Sequence, residues 1–168
     1  SYAVKELSRS LTEPTEEDKA KLKHLARYLR GTSDYTLLIS SKCIYAEDVP
    51  GKITVYVDSD WAGCHKTRKS TTGVCVFYND VLVHHYSRTQ ATVALSSAEA
   101  ELYAIGTGTI DGVSLLQFVR ELGLPIETKC AVYVYTDSSS AKSISTRLGS
   151  SRTTKHIQLR YLYVQDLV

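Results

Sequence analysis

The chain of 168 residues contains no methionine and only three prolines, and it begins Ser-Tyr-Ala. A chain without methionine is expected to be a piece of a longer protein; the alternative is a methionine-poor protein whose initiator has been removed. No run of about 20 apolar residues is present, so neither a membrane span nor a membrane partner is expected. No cleavable signal pattern opens the chain, so an intracellular, reducing environment is expected rather than secretion.

The cysteines lack the spacing of a metal or redox site, because no two of them form a CxxC pair. They are Cys43, Cys64, Cys75 and Cys130. A disulfide framework is not expected in an intracellular chain of this size. The formal net charge is only +2, so a nucleic-acid partner requires a local basic patch. The hydrophobic content of 43% fits one domain, or one domain with an appendage, with its own core.

The first part of the chain, residues 1–34, has the periodicity of two helices. Thr15 and Asp18 are spaced as in a capping box at the start of the second helix. Gly31 is well placed to end that helix. The next residues, 35–40, have a β-like composition and predict a strand.

Three antiparallel strands are predicted between residues 53 and 86, where apolar and polar residues alternate. Asn79 and Asp80 join the second and third strands, and both residue types tolerate the positive φ of a hairpin turn. A long helix follows, with Ser96 as N-cap and Glu99 as its capping-box partner. Internal glycines weaken this helix by about 1 kcal/mol each, so tertiary packing must hold it.

After the long helix the pattern predicts a strand over residues 131–136, a short helix over 138–146 and a last helix from residue 153 or 154 to the end. A strand, helix, strand order implies a parallel pair with a right-handed crossover. The predicted fold class is therefore α/β: a mixed sheet of three antiparallel strands and then a parallel strand, with helices on its faces.

Three acidic residues fall at the predicted ends of these elements. Asp58 ends the first strand of the hairpin series, Glu101 lies early in the long helix, and Asp137 follows the fourth strand. If the fourth strand lies beside the first, the three carboxylates approach one another. Clustered carboxylates suit hard cations such as Mg²⁺, and two such ions can clamp the oxygens of a phosphodiester displacement.

Each of these acids also has a structural explanation. Asp137 is placed to N-cap the next helix, Asp58 to face solvent or a turn, and Glu101 to favour the helix dipole. Asp60 lies two residues after Asp58 on an extended segment, so either or both are candidate metal ligands. Glu99 is already explained by capping, which leaves Glu101 as the ligand on the helix.

Five segments, in this order, resemble the ribonuclease H region of copia-type retrotransposon polyproteins. They are YVDSDWAG, RKSTTG, TVALSSAEAELYAI, YTDSSSA and RTTKHIQLRY. The stretch from residue 7 to residue 39 resembles the end of the reverse transcriptase that precedes this region. The resemblance implies that residues 1–50 end a reverse transcriptase and that residues 51–168 form a ribonuclease H-like domain that is incomplete at its C-terminus.

The resemblance also implies an activity: metal-dependent cleavage of the RNA strand of an RNA–DNA hybrid, with Asp58, Glu101 and Asp137 as catalytic metal ligands. Two Mg²⁺ ions, or Mn²⁺, are the implied cofactors, and the implied partners are the hybrid and the reverse transcriptase of the same polyprotein. Such a protein is expected in the cytoplasm, within a virus-like particle, or in the nucleus.

Two departures from the family pattern concern acidic positions. Gln158 stands where the family usually has an acid after KHI. The family also continues with a strand and a helix that carries a fourth carboxylate. Asp166 is expected to be a surface acid rather than a replacement for it.

Two basic clusters predict contacts with nucleic acid, because phosphate neutralisation requires local positive charge. An ordinary solvated surface is the alternative for both. The candidate contact residues are Lys66, Arg68, Lys69, Ser70, Thr71, Arg152, Lys155, His156 and Arg160. Trp61 is a candidate for stacking on a sugar or base, although a single tryptophan beside a strand end is more often a core residue.

Two rival functions remain at this point. The first is a catalytically inactive module, left from a decayed retroelement, that binds nucleic acid or is structural; the glycine-weakened helix and the absent fourth carboxylate support it. The second is a DNA transposase or integrase on the same fold, against which the VALSSAEAE and RTTKHI segments speak.

Overall fold

A computed structural model describes residues 2–39, 51–122, 130–147 and 163–167. The chain divides into two compact units, Ser1–Ser40 and Ser41–Val168. The functional assignment of residues 1–50 and 51–168 stays a prediction. Most of the predicted last helix lies outside the described residues, as do four of the predicted nucleic-acid contacts: Arg152, Lys155, His156 and Arg160.

The first unit contains two helices, α1 (Tyr2–Ser8) and α2 (Glu16–Gly31). The capping box at the start of α2 is confirmed: the Asp18 N–H donates to Thr15 Oγ1 over 3.2 Å, and the Thr15 N–H donates to Asp18 Oδ2 over 3.0 Å. The strand predicted over residues 35–40 is wrong for residues 35–39, which have no strand structure. A β-like composition does not form a strand without a hydrogen-bonded neighbour, and none of the described residues pairs with this segment.

The second unit is built on a mixed four-stranded sheet. Its strands are β1 (Lys52–Asp60), β2 (Thr71–Tyr78), β3 (Val81–Thr89) and β4 (Ala131–Tyr135). The order across the sheet is β3-β2-β1-β4, with β1 antiparallel to β2, β2 antiparallel to β3, and β1 parallel to β4. The spatial order therefore differs from the order of the prediction, because the parallel strand lies beside β1 and not after the third antiparallel strand.

The turn between β2 and β3 is the predicted hairpin. Asn79 and Asp80 have φ values of 44° and 67°, the left-handed conformation that both residue types tolerate. The Asn79 side chain adds a bond to β1, since its Oδ1 accepts from the Lys52 N–H over 2.8 Å. The turn thus ties the start of β1 to the hairpin.

The long helix α3 (Ser97–Glu121) covers one face of the sheet, and its buried residues form the core with the alternate residues of β1 and β2. Ser96 is its N-cap, as predicted, and accepts from the Glu99 N–H over 3.2 Å. The Glu99 carboxylate returns to the Leu95 N–H over 2.8 Å, one residue before the position expected of a capping box. Glu99 is therefore committed to the start of the helix.

Two of the glycines in α3 are explained by its distance from the sheet. A Cβ at Gly108 would overlap the Cγ1 of Val57, and a Cβ at Gly112 would lie 2.7 Å from Val132 Cγ1. Neither overlap can be relieved without moving the helix or the strands, because Val57 is buried in the core and Val132 packs against the core. The glycines weaken the helix locally and allow it to approach β1 closely.

By length and composition alone α3 could cross a membrane, but half of its most apolar stretch is buried within the unit, as in a core helix. A short helix, α4 (Ser139–Ser145), follows β4, and residues Tyr163–Asp166 form a 3₁₀ helix. The α/β class with a mixed sheet is confirmed, and the arrangement is compatible with a ribonuclease H-like fold.

Candidate metal centre

The parallel pairing of β1 with β4 determines where the acidic cluster forms. Tyr56 of β1 is paired with Tyr135 of β4. Two residues after each of these tyrosines the backbone reaches an aspartate, Asp58 after β1's Tyr56 and Asp137 after β4's Tyr135. The first turns of α3 add Glu101. One carboxylate oxygen from each of the three acids lies within 4.8 Å of the others. The structure therefore brings together the three residues that the sequence predicts.

Glu101 is the buried member of this cluster, with 5% of its surface exposed. Its Oε1 accepts two hydrogen bonds from Ser59, one from the backbone N–H at 3.1 Å and one from the hydroxyl at 2.9 Å. Its Oε2 is buried and has no hydrogen-bond partner among the described residues. A buried carboxylate oxygen without a donor is costly, and a bound cation removes that cost.

Burial raises the pKa of Glu101 above its usual value, and the charges of Asp58 and Asp137 raise it further. The two bonds from Ser59 oppose this shift, because they favour the charged carboxylate. Asp58 and Asp137 are exposed, so water reaches them. The cluster is thus a half-buried group of carboxylates that repel one another. A hard cation with oxygen ligands neutralises such charge. The three residues fit a metal ion.

The structure removes the helix-terminus explanation for two of these acids, Asp137 and Glu101. The N-cap of α4 is Ser138, whose hydroxyl accepts from the Ala141 N–H over 3.2 Å, so Asp137 does not cap that helix. The acidic residue in the first turn of α3 is Glu99, which leaves Glu101 outside the part of the helix where the dipole acts. Neither acid is explained by helix capping.

Asp60 is engaged elsewhere. Its Oδ1 accepts a hydrogen bond from the backbone N–H of Thr71, across the β1–β2 pair. Its carboxylate also lies against Gly63, where a Cβ would be 2.7 Å from the Asp60 Cγ and closer still to Oδ2. The three-residue cluster does not include it. A metal-binding role for Asp60 stays a prediction from the sequence.

The segment between β1 and β2 carries the first predicted nucleic-acid contacts. Lys66 and Arg68 are exposed and Lys69 is half-buried. Ser70, in contrast, has no exposed surface, and its hydroxyl accepts from the Ala62 N–H over 3.0 Å. This burial conflicts with the predicted contact, because a side chain without accessible surface cannot reach a phosphate. Thr71 is also buried, with 7% exposed.

Sequence reasoning missed Ser59 and Gln90. Ser59 has the strand parity of the core residues facing α3, a signal that points it toward the helix but does not name Glu101 as its partner. Gln90 is buried, and its amide donates to Thr72 Oγ1 over 3.0 Å and to the Ala100 carbonyl over 2.8 Å. It therefore ties the start of α3 to β2, next to Glu101, and no local pattern indicates this.

No protein-family profile matches the chain. Several curated proteins resemble it, among them the following three. The retrovirus-related Pol polyprotein of transposon TNT 1-94 from Nicotiana tabacum is 35% identical over 167 residues, which are 99% of this chain and 12% of the polyprotein. The corresponding polyprotein of transposon RE1 from Arabidopsis thaliana is 29% identical over 168 residues, all of this chain and 11% of the polyprotein. A secreted RxLR effector protein of Plasmopara viticola is 35% identical over 113 residues, 67% of this chain and 75% of that protein.

The chain spans about a tenth of the length of the Pol polyproteins that it matches. The matches to both polyproteins extend over nearly the whole chain, so they cover both compact units and all three clustered carboxylates.

Proposed function

Since the chain is homologous to part of the retrovirus-related Pol polyproteins of plant transposons, we propose that it contains the ribonuclease H of a copia-type polyprotein. Its reaction is the metal-dependent cleavage of the RNA strand in RNA–DNA hybrids during reverse transcription. The observation that carries this proposal is the cluster of Asp58, Glu101 and Asp137, held within 4.8 Å at the common end of two parallel strands.

The three carboxylates would hold Mg²⁺, or Mn²⁺ in its place. Two such ions supply an activated water and stabilise the leaving 3′ oxygen in a phosphodiester displacement. Asp58 and Asp137 are exposed and can face a phosphate, whereas Glu101 is fixed by Ser59 from behind. In this proposal the exposed Asp58 and Asp137 face the substrate, and the buried Glu101 is held in position by Ser59.

Binding of the hybrid involves the basic segment between β1 and β2 in this proposal. Lys66 and Arg68 are exposed and Lys69 is partly so, and each can neutralise a backbone phosphate. Ser70 and Thr71 are buried, so the proposal assigns no phosphate contact to their side chains. The reverse transcriptase portion of the same polyprotein is the proposed partner, and the proposed location is intracellular.

The inactive-remnant alternative stays open, although one observation behind it has a structural explanation. It drew on the glycines that weaken the long helix, and the packing of Gly108 and Gly112 against Val57 and Val132 gives those glycines a structural purpose. The alternative is now an outcome of the test that follows.

Cleavage of a labelled RNA–DNA hybrid by the chain and by Asp137→Asn tests the proposal. The unsubstituted chain is expected to cut the RNA strand with Mg²⁺, and the variant to lose this activity while folding normally. Asp166→Asn is the matched control, since Asp166 is an exposed acid outside the cluster and its loss should change nothing. Equal rates for the chain and Asp137→Asn would overturn the site, and a folded chain that never cuts with Mg²⁺ or Mn²⁺ would support the remnant.

A further inference from the structure

The only tryptophan of the chain directly follows β1, the strand that carries Asp58. This residue, Trp61, lies three residues after Asp58, and 53% of it is exposed. Its indole N–H donates to the Ala94 carbonyl over 3.1 Å. The one polar atom of the side chain is thus bound by the protein, so the exposed part of Trp61 is its apolar ring.

Two more apolar side chains are exposed where the indole is bound. Val93 and Leu95 flank the buried Ala94, and they are 47% and 70% exposed. We call Trp61, Val93 and Leu95 the Trp61 surface. A contiguous patch of exposed apolar side chains is typical of a binding surface.

One hydrogen bond and one covalent connection join this surface to the two elements that carry Asp58 and Glu101. Leu95 donates its N–H to the carboxylate of Glu99, in the first turn of α3 and two residues before Glu101. On the other side, Trp61 continues directly from β1, whose Ser59 binds Glu101. The Trp61 surface is therefore fixed relative to Glu101 through short runs of backbone.

Positive charge lies on the same segment as Trp61. Lys66 and Arg68 are exposed, and the turn that carries them is closed by two backbone bonds: the Arg68 N–H donates to the Cys64 carbonyl over 2.7 Å and the Cys64 N–H to the Lys69 carbonyl over 3.2 Å. An aromatic ring with neighbouring cations suits a nucleic-acid strand, whose bases stack on the ring while its phosphates meet the charges. A purely apolar partner has no negative charge that Lys66 and Arg68 could neutralise.

We propose that the Trp61 surface binds one nucleotide of the nucleic-acid substrate, with its base or sugar stacked on the Trp61 ring and the neighbouring phosphates near Lys66 and Arg68. The proposal rests on the proposed function, because it takes a nucleic acid as the substrate of the nearby carboxylates. It adds to that function a binding site that uses none of the metal ligands.

The emission of Trp61 reports on this surface directly, because the chain has no other tryptophan. Titration with an RNA–DNA hybrid in EDTA, which prevents cutting, is expected to produce a saturable change in emission and to protect Trp61 from acrylamide quenching. Raising the salt concentration should weaken the effect, since phosphate contacts are screened. A hybrid that binds by mobility shift without changing Trp61 emission or quenching would overturn the proposal, and so would the absence of binding.

Substitutions separate stacking from folding. Trp61→Ala is expected to weaken hybrid binding about five-fold or more in a mobility-shift assay, the size expected for one stacked base, and Trp61→Phe to recover most of the affinity. Leu95→Ser should also weaken binding while it retains the tryptophan signal. Phe118→Ser is the matched control, because Phe118 is 56% exposed on α3 far from Glu101, and it should bind normally. Equal losses in Phe118→Ser and Trp61→Ala would contradict the proposal.

The two proposals fail separately. Protection of Trp61 by the hybrid without any cleavage in Mg²⁺ keeps the binding surface and removes the nuclease. In the opposite case, Asp137→Asn abolishes cleavage, but the bound hybrid leaves Trp61 fully accessible to acrylamide. That result supports the nuclease and contradicts the binding surface.

Discussion

Ser59 holds Glu101 through both its backbone N–H and its hydroxyl, at 3.1 Å and 2.9 Å, although the two residues are 42 positions apart in the chain. The strand that supplies Asp58 thus also supplies the group that orients the helix carboxylate. Because Ser59 and Asp58 are adjacent, one short piece of β1 positions two members of the cluster. This arrangement makes Ser59 a positioning residue for the candidate metal site.

Ser59→Ala is expected to weaken binding of Mn²⁺ about ten-fold, because a hydrogen bond to a charged group contributes about 1.5–3 kcal/mol. Titration of the metal-free chain, followed by the Mn²⁺ electron paramagnetic resonance signal, measures the affinity. Ser59→Thr retains the hydroxyl and should recover the affinity. Ser114→Ala removes a hydroxyl that bonds only within α3, so it should bind Mn²⁺ normally. An unchanged affinity in Ser59→Ala would show that the hydroxyl does not orient Glu101.

Asp60→Asn is expected to bind Mn²⁺ as the unsubstituted chain does, whereas Asp58→Asn should bind it far more weakly. The Asp60 carboxylate accepts from the Thr71 N–H, and an asparagine oxygen can accept that bond as well. The same resonance titration compares the two variants directly. If Asp60→Asn loses as much affinity as Asp58→Asn, Asp60 is a ligand and the cluster has four members.

The stability of the metal-free chain should depend on pH through Glu101. Burial and the neighbouring Asp58 and Asp137 raise the pKa of Glu101, so the folded state favours the protonated form. A raised pKa contributes stability that is complete below the ordinary glutamate pKa and is lost as the pH rises through the raised value. The unsubstituted chain should therefore lose stability relative to Glu101→Gln between acidic and neutral pH. Urea unfolding of both proteins in EDTA at several pH values measures this difference, and a constant difference would contradict it.

Gly108→Ala should destabilise the second unit by about 1–3 kcal/mol, although alanine is the better helix former by about 1 kcal/mol, because the new methyl group overlaps Val57. Urea unfolding gives the free energy. In the double variant with Val57→Ala, the two costs should not add, since the smaller strand residue makes room for the methyl group. Ser114→Ala, on the exposed side of the same helix, should be neutral or slightly stabilising. Additive costs in the double variant would rule out the close approach.

Local chemistry made several elements of this fold predictable. Asn79 and Asp80 form the hairpin turn, and Ser96 and Thr15 cap their helices, because each of these features depends on residues within a few positions of one another. The strand pattern predicted the sheet, and the ends of the elements predicted the three carboxylates. Their convergence required only that β4 lie beside β1.

The features that sequence reasoning missed depend on tertiary neighbours. The partner of Ser59 is determined by where α3 crosses β1, and the bonds of Gln90 link β2 to the start of the helix. Residues 35–39 have a strand-like composition but no partner strand in the described part of the chain. Trp61 is half exposed, and its N–H donates to the carbonyl of the buried Ala94, a contact that no spacing rule indicates.

The parallel pairing of β1 with β4 has a consequence for the order in which the chain folds. The hairpin strands β2 and β3 are adjacent in the sequence. In contrast, Lys52 of β1 pairs with Ala131 of β4, and the whole of α3 lies between them in the sequence. Closing such a long loop is entropically unfavourable and slow, so hairpins form before parallel crossovers. On the ribosome, the antiparallel part can be complete while Asp137 is still being synthesised. The nascent chain therefore acquires its acidic cluster only after β4 has joined the sheet.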